Sequence, residues 1–186
     1  IVDWQQKGIN TKVSVNLSAE QLNTDQLFNQ MLFCIEASGV APECIKLELT
    51  ESSLIENTKS TEILQLLQQM GIEVYLDDFG TGYSSLAYLE RFPLNGLKID
   101  RAFVMEITQS ERRIALMEKI IELGHVLGLT VVAEGIERQE ELEILTNLNC
   151  DLIQGYYFAR PMPAEQAEEF IVEFQRQNRR WPWQLN

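Results

Sequence analysis

Asp77 and Asp78 stand side by side in "LDDFGTGYSSL" (76–86), where an apolar run gives way to glycines and hydroxyl side chains. Other polar groups sit near the ends of short apolar runs: Asn16 in "KVSVNLS", Glu48 in "IKLELTE", Lys98 and Asp100 in "LKID", Glu134 in "TVVAEG" and Gln154 in "LIQGYY". Converging carboxylates with no arginine among them repel, so some must stay protonated or cations must lie between them. Hard oxygen ligands suit Mg²⁺ or Mn²⁺. Adjacent aspartates then make chemical sense: Asp77, the last residue of its strand, bridges two ions, and Asp78, opening the loop, binds the second. Ions about 3.5–4 Å apart clamp the attacking and leaving oxygens of an in-line phosphoryl displacement. Lys98 could orient or activate the attacking water; the alternative is a structural ion pair with Asp100. Gly80 and Gly82 allow a tight turn, and Thr81, Ser84 and Ser85 could cap the next helix.

Six β-rich runs must position these groups: 12–18, 45–51, 72–78, 97–100, 130–135 and 152–157. Between them, helical periodicity covers 19–37, 57–70, 110–127, 139–148 and 164–178. Strands alternating with helices predict a parallel sheet with crossover connections. Read with period two, Leu47 and Leu49 oppose Glu48, Val74 and Leu76 oppose Tyr75 and Asp77, and Leu97 and Ile99 oppose Lys98. Capping could explain one such polar residue. Six near the strand ends instead predict an α/β fold, a TIM-like (β/α) barrel with its chemistry at the C-terminal rim, represented here by about six of the usual eight strands.

The composition fits a globular domain: 186 residues, 45% hydrophobic and 23% charged, read as a single unit over 1–186. A net charge of −13 disfavours nucleic-acid polymers. No apolar run reaches the roughly 20 residues of a membrane span, and no signal peptide opens the chain. The scattered Cys34, Cys44 and Cys150 suit a reducing compartment and are read as buried small apolar residues. His125, inside a helical pattern, has nothing near it in sequence to complete a triad.

Six motifs in order, "NLS" (16–18), "LELTES" (47–52), "LDDFGTGYSSL" (76–86), "LKIDRAFV" (97–104), "VVAEGIE" (131–137) and "QGYYFARPMP" (154–163), resemble those of the EAL domain, the family of cyclic di-GMP phosphodiesterases. The resemblance implies a bacterial signalling hydrolase that opens cyclic di-GMP to linear pGpG with two Mg²⁺ or Mn²⁺ ions. It implies that Asn16, Glu48 and Asp77 bind one metal, and that Asp78 and Glu134 serve the second. Lys98 resembles the lysine that contacts the catalytic water, with Asp100 its neighbour and Glu134 also assigned to catalysis. Gln154, Gly155 and Pro161 resemble substrate-site positions. Glu51 and Glu137 resemble the pair that steadies the loop containing Gly80 and Thr81. That loop and the following helix resemble a homodimer contact. A cytoplasmic location follows, alone or as the cytoplasmic part of a membrane-attached protein, with a sensor or GGDEF domain upstream.

The family's Glu-x-Leu motif, about 70 residues before the Asn position, does not occur in this chain. "IVDW" reads as the end of a preceding helix, so residues 1–186 are expected to be a piece of a longer domain, or to be completed by another chain, and to be inactive alone. Two other functions compete: a catalytically silent sensor that binds cyclic di-GMP or a protein, and an unrelated barrel enzyme using Lys98 as a Schiff-base nucleophile.

Overall fold

A computed structural model of the chain describes residues 1–22, 24, 26–55, 58–80 and 86–176. Six strands form one sheet in sequence order: β1 (Val13–Asn16), β2 (Ile45–Thr50), β3 (Glu73–Phe79), β4 (Gly96–Ile99), β5 (Thr130–Glu134) and β6 (Leu152–Gln154). Every neighbouring pair is parallel. The sheet curls into a half-barrel with helices on its outer side, so the expected TIM-like architecture is observed.

The period-two pattern explains this shape. Leu47, Leu49, Val74, Leu76, Leu97, Ile99, Val131 and Ala133 are all buried in one core. Helical residues Leu64, Leu67, Met117, Ile121, Leu142 and Leu145 complete it. Burying each of the valine, leucine, isoleucine and methionine side chains contributes about 1.5–3 kcal/mol. The opposite parity, including Glu48, Asp77, Lys98 and Glu134, faces the concave side. β1 and β6 are the sheet edges, and Val13 and Val15 on β1 remain 36% and 48% exposed.

The helices depart from the sequence pattern in two ways. The stretch read as one helix over 19–37 is two helices, Ala19–Leu22 and Leu27–Ser38. Between them the Thr24 hydroxyl donates to the Gln21 carbonyl at 2.8 Å, a local bond that competes with helix continuation. Short helices Val2–Gln6, Glu51–Ile55, Leu86–Arg91 and Arg101–Met105 also form, the first where "IVDW" reads as helical. The cysteine reading needs correction. Cys150 is buried, but Cys34 is exposed on the outer side of Leu27–Ser38 and Cys44 is half-buried. Periodicity places Ile35, not Cys34, against the core. His125 lies in the helix Glu111–Val126 and meets Asp151 at 3.0 Å.

Candidate active site

Parallel register brings the polar residues to one rim. Asn16 pairs with Glu48, Thr50 with Asp77, Lys98 with Val132, and Glu134 with Gln154. The side chains from β2, β3 and β5 meet on the lysine from β4. Lys98 Nζ lies 2.6 Å from Glu48 Oε2, 3.0 Å from Asp77 Oδ1 and 2.8 Å from Glu134 Oε1. The lysine side chain is only 6% exposed and the three carboxylates 12–19%. Burial works against the Lys98 charge, yet the hydrogen bonds it donates to Glu134 and Glu48 outweigh it and hold the ammonium above the ordinary lysine range. Burial pushes the Glu134 carboxyl up, against the pull of Lys98.

Beneath this group, the buried Tyr75 ring lies over Gly96, where an added Cβ would stand 2.1 Å from the ring. Lys46 donates to the Tyr75 hydroxyl at 3.1 Å. The floor of the site is therefore packed rather than open.

The paired aspartates part ways through the backbone. Asp78 has φ 55°, in the left-handed region. Its N–H donates to Asp77 Oδ1 at 3.0 Å, and the β3–β4 register shifts between Leu76 and Phe79. Asp77 is thus not the last residue of its strand. A bulge at Asp78 lets Phe79 rejoin the ladder opposite Ile99 and bury its ring. Burial first, then the charges of Asp77 and Asp100, pushes the Asp78 carboxyl up, so this end of the rim is crowded with negative charge.

Asp100 corrects another reading. It shares parity with Lys98, but β4 ends at Ile99, and the Asp100 carboxylate accepts from the Ala102 N–H at 2.8 Å as the cap of Arg101–Met105. The ion pairs of Lys98 are instead made with Glu48, Asp77 and Glu134.

Glu51 opens the helix after β2 and accepts from the Gly80 N–H at 2.8 Å, which anchors the turn after the aspartates. Glu137 pairs with Arg101 at 3.2 Å. Thr81, Ser84 and Ser85 lie outside the described residues, as does most of the loop that Glu137 was expected to steady. Gln154, Gly155 and Pro161 come together around a cavity of about 410 Å³, within the range of small-ligand pockets. Tyr156 and Arg160, not singled out from the sequence, line it too, with the guanidinium 4.7 Å from the Tyr156 ring centre. An aromatic pair followed by arginine in "YYFAR" was the available signal.

The donors fit a divalent cation. Three carboxylates from three strands already surround one cationic group, Lys98 Nζ, and a fourth acid, Asp78, is next along the chain. As they stand, however, no three acidic, histidine or cysteine groups among the described residues are gathered to hold an ion.

The EAL domain model matches residues 1–161. The chain belongs to the EAL domain family. It is 42% identical over 161 residues to the cyclic di-GMP phosphodiesterase NbdA of Pseudomonas aeruginosa, covering 86% of this chain and 21% of NbdA. Among solved structures, this EAL domain superposes on the PaMucR phosphodiesterase in complex with c-di-GMP with a TM-score of 0.82 and 40% identity, covering 88% of this chain and 67% of that one. It superposes on Klebsiella pneumoniae BlrP1, in a manganese and cyclic di-GMP complex, with a TM-score of 0.76 and 30% identity, covering 85% and 41%. The EAL motifs read from the sequence are therefore a family signature, and the half-barrel matches part of the family's TIM-like barrel. Among the described residues no helix is long and apolar enough to cross a membrane.

Proposed function

We propose that this EAL domain hydrolyses cyclic di-GMP to linear pGpG with two Mg²⁺ or Mn²⁺ ions. The observation that carries this reading is the meeting of Glu48, Asp77 and Glu134 around Lys98 at the rim of the half-barrel. Asn16, Glu48 and Asp77 would hold one ion; Asp77, Asp78 and Glu134 would hold the other. Such ions, when bound, polarise a phosphoryl oxygen and generate a nucleophile from water at neutral pH. Lys98 stays charged and donates hydrogen bonds that orient the attacking water. Asp100 fixes the start of the helix after β4 and adds negative charge beside Asp78. Gln154, Gly155 and Pro161 bind the substrate in the adjoining cavity, where Arg160 supplies a positive charge for phosphate.

Intact metal-ligand candidates favour hydrolysis over silent sensing, and the buried, charged Lys98 does not suit a Schiff-base nucleophile. Two copies associate through the loop and helix after Asp78. The domain works in the cytoplasm as part of a longer protein with a sensor or GGDEF domain upstream.

The test is product analysis after incubation of the full-length protein with cyclic di-GMP, with Mg²⁺ or Mn²⁺ and with a chelator. Linear pGpG formed only with the metal is expected. Undiminished turnover in excess chelator contradicts the reading, as does tight cyclic di-GMP binding without turnover.

A further inference from the structure

All three carboxylates that meet on Lys98 are assigned above to metal ions. Their oxygens come from β2, β3 and β5, and the lysine rises from β4 between the last two. At 6% side-chain exposure, the ammonium has little water to replace those partners. Three negative charges and one positive charge share a largely dry space. Unpaired, the carboxylates would repel one another at this spacing, and each would be left a largely buried, uncompensated charge.

We infer that Lys98 is the internal counter-cation of the metal-free site, and that divalent ions bind by displacing its ammonium from Glu48, Asp77 and Glu134. The inference rests on the metal assignment proposed above. Two consequences follow from the geometry. Metal binding must break three short ion pairs, so the lysine weakens the site's affinity for metal. The displaced ammonium, still anchored on β4, stays at the rim where the attacking water must lie. One movement thus both admits the metal and brings Lys98 to its working position, while without metal the lysine is held away from substrate.

The test is binding of Mn²⁺ without nucleotide, followed by electron paramagnetic resonance of the free ion, in the full-length protein. Wild type, Lys98→Met and Lys98→Gln are compared, with folding checked by circular dichroism. Both variants are expected to bind the first Mn²⁺ at least about tenfold more tightly than wild type, a difference of about 1.4 kcal/mol, although they lose hydrolysis. Equal or weaker binding by folded variants overturns the inference and leaves the metal assignment standing. A wild type that binds no Mn²⁺ overturns both. If neither variant folds, crystal structures of the wild type with and without Mn²⁺ decide. Nζ leaving at least two of the three carboxylates on metal binding supports displacement; Nζ retaining two or more of them contradicts it.

Discussion

The Gly80 backbone N–H donates to Glu51 Oε1 at 2.8 Å, joining the turn after the paired aspartates to the first helical residue after β2. Glu51 is 9% exposed, and Gly80 has φ +94° with the Phe103 ring 2.5 Å from where a Cβ would be. A hydrogen bond to a charged group contributes about 1.5–3 kcal/mol. Glu51→Ala should therefore reduce kcat about 10–100-fold by loosening Asp77 and Asp78, and Glu51→Gln should recover part of the loss. Steady-state kinetics on both variants check this; an unchanged kcat in Glu51→Ala means that the turn does not depend on the bond.

Asp78 is held at φ 55°, where asparagine and glycine are tolerated and β-branched residues are not. Asp78→Asn should keep the bulge and the folded stability within about 1 kcal/mol while weakening binding of the second ion. Asp78→Val should lose about 1–2 kcal/mol or more of stability. Denaturant unfolding and metal titration separate the two effects. Equal destabilisation by asparagine and valine contradicts the backbone account.

Glu141 gives a pH-dependent contribution away from the site. It accepts from the Glu137 and Arg138 N–H groups at 2.9 and 3.0 Å, and from the Arg138 guanidinium at 2.9 and 2.7 Å. Burial raises its pKa, but these hydrogen bonds win and leave it below 4.5. A depressed folded-state pKa means the stabilisation is fully present above the unfolded value and disappears as pH falls through the folded one. Glu141→Gln should cost about 1–3 kcal/mol at pH 7. The difference from wild type should shrink steadily below about pH 4.5. Unfolding curves at pH 7 and pH 3 measure it, and a pH-independent difference contradicts the assignment.

Much of the site could be read from strand parity. Alternation in "IKLELTE" and "IEVYLDD" already puts Glu48 and Asp77 on the face opposite the buried leucines, and the parallel register then sets them beside Lys98. Parity failed where a strand ended or bulged. Asp100 left the ladder one residue after Ile99 to cap a helix, and Asp78 turned left-handed within β3. Nor could parity choose the partners of Lys98. That choice depends on the sheet's curl, which brings β2 and β5 within reach of one side chain on β4. The short helices Leu86–Arg91 and Arg101–Met105 have too few turns for a periodic signal.

The carboxylates around Lys98 are proposed to form a metal-dependent phosphodiesterase site. Its most direct test is turnover of cyclic di-GMP by wild type and Asp77→Asn at matched Mg²⁺, in folded full-length protein. Asp77 is the proposed bridge between the two ions, and a neutral amide replaces an anionic ligand poorly. The expected loss is at least about a hundredfold, comparable to removing an electrostatic partner of a transition state. Turnover within a few-fold of wild type contradicts the account.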